Sequence, residues 1–353
     1  GYTVEGFKEK DNGVEVLLKD NPSLQADMVV LAIGVTPDTA LAKEAGLELG
    51  IKGSIVVNDR METSVPDIYA AGDAVQVKHY VTGDDALISL AGPANKQGRI
   101  IADNICGGDS RYLGSQGSSV IKVFDMTAAT TGINETNAKK SGLDVDTVIL
   151  SPMSHAGYYP GGKVMTMKVV FEKETYRLLG AQIIGYEGVD KRIDVLATAI
   201  HAGLKATQLK DLDLAYAPPY SSAKDPVNMA GFMIDNIAKG TLKQWHLEDM
   251  DKISKDKSVV LLDVRTVGEF NRGHMDGFRN IPVDELRERI NEIEKGKPVY
   301  LICQSGLRSY IASRILEGNG YETYNFSGGF RFYDAVVNDR ALIERAYACG
   351  MDY

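Results

Sequence analysis

One cysteine of the chain, Cys303, stands where an apolar run gives way to a segment with helical spacing. The apolar run is 299–302, and Gly306 and Arg308 follow the cysteine. A tight turn at this place can point backbone N–H groups inward at the sulfur. With Arg308 and the N-terminus of the following helix, those groups favour a thiolate over a thiol and stabilise an anion bonded to it. The residue types therefore predict a loop for sulfur transfer or for phosphoryl transfer.

The residues around this loop decide between the two chemistries. The motifs that flank the loop are 261–265, Glu269-Phe270, Gly273-His274, Gly277, 280–282 and 327–330. With the loop, these motifs resemble the rhodanese family over about the last hundred residues of the chain. Rhodaneses carry a Cys-x-x-Gly-x-Arg loop that fits a persulfide sulfur, whereas loops of the tyrosine-phosphatase type have one more residue between Cys and Arg, which admits a phosphate. The spacing in this chain is the shorter one.

The rhodanese resemblance implies a persulfide loop in which Cys303 and Arg308 are catalytic. The loop residues between them are Gln304, Ser305, Gly306 and Leu307. The alternative for Cys303 is an ordinary buried cysteine at the end of a strand, because free cysteine is among the most buried residue types.

Composition and charge limit the class of protein. The chain has 353 residues and a net charge of −9, which argues against nonspecific binding to nucleic acid. No apolar run reaches the roughly 18 residues of a membrane helix. The cysteines Cys106, Cys303 and Cys349 are too widely spaced for a disulfide framework or a zinc site. We therefore expect a protein of two or three domains in a reducing cytoplasm, with no bound metal, membrane or nucleic acid.

Two apolar runs in the first third of the chain precede turns that contain Gly or Pro. The runs 27–34 and 55–57 predict strands, and the segment 63–71 ends at Gly72-Asp73. These residues resemble the C-terminal half of the FAD domain in flavoprotein disulfide reductases with two dinucleotide-binding domains. In that family the corresponding Gly-Asp meets the ribityl and phosphate region of the flavin, which implies that Gly72 and Asp73 bind FAD. A glycine lets the backbone approach a ligand, and a carboxylate accepts hydrogen bonds from ribityl hydroxyls.

A helix is predicted to begin near Leu90, since Pro93 suits a first helical turn. In the resembled reductases the N-terminus of this helix points at the pyrimidine edge of the flavin, where the helix dipole favours the reduced anion. The resemblance thus implies a second group of flavin-binding residues, namely Ala91, Gly92, Pro93 and Ala94. Cys106, just past this helix, is expected to be a packing residue.

The segment 114–240 resembles the dimerisation domain of the same reductases, which implies a homodimer. Its periodicity predicts strands and helices in alternation. The strands are 119–124, 145–150, 163–171 and 177–184, and the helices are 134–140, one capped by Asp190 and one that starts at Asp225-Pro226. We interpret the apolar stripe of the helix capped by Asp190 as plain core, since such a stripe cannot by itself distinguish core from a dimer interface.

Two clusters of Tyr and Pro in this segment resemble stretches of coenzyme A disulfide reductases, where tyrosines of the partner subunit reach the thiol site beside the flavin. The first cluster contains Tyr158 and Tyr159, and the second contains Tyr216 and Tyr220. A phenol can hydrogen-bond to a leaving thiolate or protonate it. The resemblance implies Tyr158 and Tyr216 as the leading catalytic pair, with Tyr159 and Tyr220 next; simple packing is the alternative for each ring.

Over its whole length the chain resembles the C-terminal two thirds of a coenzyme A disulfide reductase fused to a rhodanese domain. The implied fold class is α/β: the C-terminal part of a two-dinucleotide-binding-domain flavoprotein reductase, an α+β dimerisation domain and an α/β rhodanese domain. Residues 1–34 would end the NAD(P)H-binding domain and return to the FAD domain, and residues 35–113 would form the C-terminal half of the FAD-binding domain. The dimerisation domain would be 114–240 and the rhodanese domain 241–353.

The implied activity is the reduction of coenzyme A disulfide, a persulfide or polysulfide by NAD(P)H through FAD, with Cys303 handling sulfane sulfur. Coenzyme A or another small thiol persulfide would be the substrate, and the sequence does not rank these acceptors or NADH against NADPH. No Gly-x-Gly-x-x-Gly occurs in the chain, so we expect the first FAD element, the NAD(P)H motif and the flavin-side redox cysteine to lie outside it. The alternative is a standalone sulfurtransferase or sulfur carrier on a dimeric scaffold. Cys349 is expected to lie in a solvated tail rather than to resolve a persulfide on Cys303.

Overall fold

The structure is a computed structural model that describes residues 2–337. Cys349, and with it the expectation about the tail, lies outside the described residues. The chain begins with a three-stranded antiparallel sheet of β1 (Val4–Lys10), β2 (Gly13–Leu18) and β3 (Leu24–Ala26). Strands β1 and β2 form a hairpin, with Lys10 paired to Gly13 across the turn.

The predicted strands at 27–34 and 55–57 do not form. Residues 27–39 have no helix or strand, and apolar side chains such as Ile33 are exposed. Ile55 makes only isolated bridges, to Leu49 and Val75. An apolar run of this kind is typical of a strand with neighbours in a parallel sheet, and within residues 2–337 no strand lies beside 27–34 to supply the hydrogen bonds.

The rest of the first third is a small apolar cluster around Met61, Val75 and Val77. Its regular elements are α1 (Ala40–Glu44), β4 (Val77–Lys78), β5 (Asp85–Ala86) and α2 (Ala91–Ile105). The predicted helix near Leu90 is therefore confirmed. The prediction that Cys106 is a packing residue is wrong: Ile105, the last residue of α2, and Cys106 after it both face solvent.

The middle of the chain is an antiparallel sheet of five strands in the order β6-β7-β10-β9-β8. The strands are β6 (Ser119–Val123), β7 (Met126–Gly132), β8 (Val145–Leu150), β9 (Met165–Glu172) and β10 (Leu178–Gly185). The helices are α3 (Glu135–Lys140), α4 (Val189–His201) and α5 (Pro226–Ala238), and the core of this unit gathers α4, α5 and the sheet in one apolar cluster. The sequence did not predict β7, whose Thr and Ala residues lack an alternating apolar pattern.

The two helix starts predicted in this unit, at Asp190 and at Asp225-Pro226, have opposite outcomes. Asp225 caps α5, since its side chain accepts a hydrogen bond from Val227 N at 3.0 Å. Asp190 does not cap α4, whose N-cap is Gly188 in the left-handed conformation, φ 70°. A side chain at Gly188 would collide with the guanidinium of Arg192, because an added Cβ would lie 2.1 Å from Arg192 Nη1. Asp190 instead lies in the first turn of α4.

The last third is a parallel sheet in the order β11-β15-β14-β12-β13. Its strands are β11 (Gln244–Trp245), β12 (Val260–Asp263), β13 (Arg279–Asn280), β14 (Val299–Ile302) and β15 (Thr323–Phe326), and its helices are α6 (Met250–Ile253), α7 (Val267–Arg272) and α8 (Leu307–Glu317), followed by helical residues 329–337. The carboxyl ends of parallel strands share one edge of a sheet. Cys303 after β14, Arg265 after β12 and Ser327 after β15 therefore gather at that edge.

The middle and last sheets meet along the edge strand β8. Gln244 Nε2 donates to Asp146 Oδ2 at 3.0 Å, and His246 Nε2 lies 3.0 Å from Asp146 Oδ1. Further along the same strand, Ile149 N donates to Ser327 Oγ at 3.1 Å. The contact is polar and largely buried, and it covers an edge strand whose N–H groups would otherwise lack partners.

Candidate functional site

The persulfide loop predicted from the sequence forms a closed turn around a buried sulfur. Cys303 is 1% exposed, and its Sγ accepts hydrogen bonds from Gly306 N at 3.1 Å and from Ser309 Oγ at 3.2 Å. Gly306 has φ 97°, a conformation that glycine adopts without strain. Two donors aimed at one sulfur stabilise negative charge on it, as a nucleophilic thiolate needs. Ser309, on the first turn of α8, is a sulfur ligand that the sequence analysis did not name.

Arg308 lies at the loop but is held by a carboxylate. Its Nη1 and Nη2 each donate to an oxygen of Glu269 at 2.7 Å, a bidentate ion pair. These hydrogen bonds lower the pKa of Glu269 to about 2, and Glu269 in turn raises the pKa of Arg308. The sequence placed Glu269 in a family motif without a role. The available signal was the spacing Thr266-x-x-Glu269, a capping box that anchors Glu269 at the start of α7.

A second ion pair supports the other side of the loop. Arg265 is buried and pairs with Asp263, its Nη2 lying 2.6 Å from Asp263 Oδ2. Its guanidinium stacks 3.8 Å from the centre of the Phe330 ring, and its Nη1 donates to Gln304 Oε1 at 3.4 Å. The side chain of Gln304 is thereby turned toward Arg265. Ser305 is half-buried and Leu307 is exposed at the loop surface.

The two leading tyrosines predicted from the sequence are in contact. Tyr158 OH lies 2.7 Å from Tyr216 OH, although 58 residues separate them in the chain. This hydrogen bond raises the pKa of Tyr216. Both rings are exposed, Tyr158 to 76% and Tyr216 to 46%. The structure thus presents a hydrogen-bonded pair of phenols at the surface.

The other two tyrosines lie nearby without joining this pair. Tyr159 packs edge-on against His155 at 5.6 Å between ring centres. Tyr220 is exposed and lines, with Tyr216 and Lys191, a cleft of about 490 Å³. Tyr159 therefore has a packing contact, and Tyr220 shares a cleft with one member of the pair.

A buried arginine, Arg192, forms hydrogen bonds to both segments that contain the predicted tyrosines, and the sequence analysis did not identify it. Arg192 is 1% exposed and pairs with Asp225, Nη2 to Oδ2 at 3.0 Å. The same Nη2 donates to Ser154 O at 2.9 Å in the first loop and to Ser221 Oγ at 3.1 Å in the second. A buried charge needs such a set of partners. The position of Arg192 on the apolar face of α4 was the sequence signal that could have predicted a buried charge.

The two segments predicted to bind flavin are brought together. Gly72 N donates to Gln97 Oε1 at 2.8 Å, and an added Cβ at Gly72 would lie 3.9 Å from Ala94. Gly72 has φ 82°, and Asp73 is exposed. The N-cap of α2 has no side-chain hydrogen bond, and Gly92 faces open space. Ala91 and Gly92 are exposed and Pro93 is half-buried.

These groups fit a flavin. The Asp73 carboxylate has no hydrogen-bond partner within residues 2–337 and can accept hydroxyl protons. The first turn of α2 offers uncapped N–H groups beside it, as an anionic ring edge would require.

Residues 2–337 contain neither a cluster of metal-ligating side chains nor a membrane-spanning helix. No group of three or more His, Cys, Asp or Glu side chains in this part of the chain could hold a metal ion. No helix in it is long and apolar enough to cross a membrane.

Three family descriptions match consecutive parts of the chain. Residues 1–98 match the pyridine nucleotide-disulphide oxidoreductase family, and residues 118–226 match the dimerisation domain of that family. Residues 246–335 match the rhodanese-like domain.

Curated relatives match about three fifths of the chain. An NAD(P)H sulfur oxidoreductase (CoA-dependent) of Pyrococcus furiosus is 40% identical over 214 residues, which are 61% of this chain and 48% of that protein. A coenzyme A disulfide reductase of Staphylococcus aureus is 37% identical over 223 residues, 63% of this chain and 50% of that protein. The chain thus spans about half the length of the curated relatives it matches.

Solved structures match nearly the whole chain. Reduced CoADR-RHD of Bacillus anthracis superposes with a TM-score of 0.91 at 46% identity, over 96% of this chain and 60% of that one. An NAD-dependent persulfide reductase of A. fulgidus superposes with a TM-score of 0.85 at 41% identity, over 94% of this chain and 60% of that one. The likeness therefore includes the middle and last sheets together.

Proposed function

The chain belongs to the pyridine nucleotide-disulphide oxidoreductase family and carries a rhodanese-like domain, which confirms the resemblance and the fold class predicted from the sequence. From this premise we propose that it is part of an FAD- and NAD(P)H-dependent reductase of coenzyme A disulfide, persulfide or polysulfide. The observation that carries the proposal is the presence in one chain of a donor-lined cysteine loop and a hydrogen-bonded tyrosine pair. Relatives named as reductases favour this function over that of a standalone sulfurtransferase.

Gly72, Asp73 and the residues 91–94 are proposed to hold the flavin. FAD bound there would pass electrons from NAD(P)H to a sulfur–sulfur bond. The positive φ of Gly72 lets the backbone approach the ligand, and Asp73 accepts hydrogen bonds from ribityl hydroxyls. The N-terminus of α2 stabilises negative charge near the ring.

Tyr158 and Tyr216 are proposed to act on the departing sulfur. The two hydrogen-bonded phenols offer a proton where a thiolate leaves. Tyr159 and Tyr220 are proposed to shape the same surface. Because the pair is exposed in a dimerisation domain, we propose that it faces the thiol site of the partner in a homodimer.

Cys303 is proposed to carry sulfane sulfur. Its thiolate attacks the outer sulfur of a donor such as thiosulfate; the sulfur–sulfur bond breaks, sulfite leaves with the electron pair, and a persulfide remains on Cys303. A second nucleophile then takes the outer sulfur and restores the thiolate. Gly306 N–H and Ser309 Oγ stabilise the charge on Sγ, while Arg308 supplies positive charge at the loop.

The domain boundaries stay proposals: 1–34 and 35–113 for the nucleotide-binding parts, 114–240 for the dimerisation domain and 241–353 for the rhodanese domain. We further propose coenzyme A or another small thiol persulfide as substrate. The widely spaced cysteines suit a reducing cytoplasm.

Anaerobic NADH oxidation by the full-length protein tests the proposed activity. Coenzyme A disulfide, coenzyme A persulfide, glutathione persulfide and polysulfide are supplied in turn, and sulfide release and flavin absorbance are recorded. We expect an FAD-containing protein that oxidises NADH with at least one acceptor. A protein without flavin that still transfers sulfur from thiosulfate would contradict the reductase and favour the sulfurtransferase.

A further inference from the structure

The segment 327–331 forms the rear wall of the persulfide loop. Phe330 N donates to Cys303 O at 2.8 Å, and Arg331 N donates to Gln304 O at 3.2 Å. Gly329 approaches so closely that an added Cβ would lie 2.7 Å from Gln304 O and from Ser305 N. The backbone of the loop therefore packs against the backbone of this segment and accepts hydrogen bonds from it.

These contacts fix the direction of the N–H groups inside the loop. A carbonyl and the N–H that follows it belong to one rigid peptide plane. A donor on Cys303 O therefore orients Gln304 N–H, and a donor on Gln304 O orients Ser305 N–H. Both groups, with Gly306 N–H, belong to the turn that surrounds the sulfur.

The opposite side of the same segment is anchored on the dimerisation domain. Ser327 Oγ accepts a hydrogen bond from Ile149 N at 3.1 Å, and both residues are buried. Arg331 Nη1 donates to Ser151 O at 3.3 Å. Ile149 and Ser151 lie on strand β8 and directly after it, 178 and 180 residues before their partners.

We propose that Ser327 and Arg331 are positioning residues for sulfur transfer at Cys303. Neither side chain has a hydrogen bond to the sulfur among the described contacts. Through them the docking of the rhodanese-like domain on β8 holds segment 327–331, and that segment holds the N–H groups of the loop. The inference rests on the proposed sulfur-transfer function of Cys303.

The interface also offers a matched control. Asp146 contacts Gln244 and His246, which belong to or follow strand β11 and do not contact the persulfide loop. The backbone of β11 does meet the wall, where Ser327 N donates to Trp245 O at 3.0 Å, but the His246 side chain points at Asp146. His246→Gln therefore loosens the docking and leaves both side-chain anchors of the wall, Ser327 and Arg331, in place. Arg331→Met and Ser327→Ala each remove one hydrogen bond between segment 327–331 and β8 or the residue after it.

The test compares these variants in the full-length protein, with thiosulfate as donor and cyanide as acceptor. We expect kcat for thiocyanate formation to fall about tenfold in Arg331→Met and Ser327→Ala, because donors to a developing charge act on kcat, while KM for thiosulfate changes less than threefold. Arg331→Lys should recover part of the loss. His246→Gln should keep kcat within twofold of wild type.

Hydrogen–deuterium exchange supplies a second readout that a change in overall stability would not mimic. The amides 304–306 should exchange faster in Arg331→Met than in His246→Gln, while those of β12 and β14 exchange equally in both. Wild-type kcat and wild-type exchange at 304–306 in both wall variants would overturn the inference, as would an equal loss of kcat in His246→Gln. A wild-type protein without sulfur transfer would refute the proposed role of Cys303 itself, which is a separate outcome.

Discussion

The persulfide loop and the tyrosine pair differ in how far the described residues complete them. The sulfur of Cys303 is buried and has two donors, a supporting ion pair and a rear wall, all within the last third of the chain apart from the anchors on β8. Tyr158 and Tyr216 have each other and are otherwise exposed, as is Asp73 in the flavin segment. The described residues thus surround the loop sulfur, whereas they leave the tyrosine pair and Asp73 exposed.

Cys303→Ser should separate the two regions most sharply. Removing the nucleophile should lower sulfur transfer from thiosulfate by at least about 10³-fold, since the hydroxyl of serine is a far weaker nucleophile than a thiolate. Reduction of the flavin by NADH should persist within twofold. Cys106→Ser, at an exposed position, serves as the control and should leave both activities unchanged. Loss of flavin reduction in Cys303→Ser would show that the two regions are not independent.

Arg192→Met should damage the tyrosine side and spare the loop. Asp225 would be left buried with only a long contact to Lys191, and the loss of its close ion pair to Arg192 costs about 3–5 kcal/mol of the free energy of unfolding. Urea unfolding followed by circular dichroism measures the cost, and limited proteolysis locates it in loops 151–162 and 215–224. The control is Lys191→Met, whose ammonium lies 3.9 Å from Asp225 and is partly exposed. Equal unfolding energies for the two variants would refute the role given to Arg192.

The double variant Tyr158→Phe/Tyr216→Phe should lower turnover with a disulfide or persulfide acceptor by about 10²-fold. The substitutions keep the aromatic rings and remove only the hydroxyl groups. Sedimentation should therefore show the same dimerisation as in wild type. Mixing this chain with one that lacks the flavin-side cysteine should restore one working site per heterodimer. No recovery in the mixture would mean that the tyrosines do not act across the dimer.

Asp73→Ala should weaken retention of FAD by roughly ten- to a hundredfold, the equivalent of about 1.5–3 kcal/mol for a hydrogen bond to a charged group. Flavin content after dialysis, read from absorbance, measures the change. Asp125→Ala, in the exposed turn between β6 and β7, is the matched control. If the two variants retain the same flavin, Asp73 does not contact the cofactor.

The stability of the contact between Asp146 on β8 and His246 in the rhodanese-like domain should depend on pH. Burial alone would lower the pKa of His246, but the hydrogen bond and charge of Asp146 outweigh it and raise that pKa above 6.5. Burial alone would raise the pKa of Asp146, but the hydrogen bond and charge of His246 outweigh it and lower that pKa below 3.8. A raised histidine pKa stabilises the folded state fully below 6.5 and ceases to do so as pH rises through the folded value. The aspartate contribution is full above 3.8 and is lost as pH falls below it.

The pair should therefore stabilise docking most between pH 3.8 and 6.5. The melting temperature of wild type should fall from pH 6 to pH 9 by more than that of His246→Gln. The same slope in both proteins would remove this pair from the pH dependence.

Local signals predicted much of the architecture. The strand 145–150 and the helix that starts at Pro226 occur where their patterns place them, because alternation and an Asp-Pro start are properties of adjacent residues. The failures are also informative. The run 27–34 has strand-like residues but no neighbouring strand in the described part of the chain. Helix α4 begins two residues earlier than predicted, with Gly188 as N-cap and Asp190 inside its first turn.

The sequence by itself determined which atoms can react. The reactive groups can be read directly from the sequence: Cys303 and its spacing to Arg308, the four tyrosines, and Gly72-Asp73. Only the tertiary structure decided what those groups contact: Arg308 binds Glu269, Tyr158 meets Tyr216, and Ser327 joins β8 to the wall of the loop. The reason is physical, since each of these contacts joins residues between 39 and 178 positions apart, and no local pattern encodes a distance that folding alone closes.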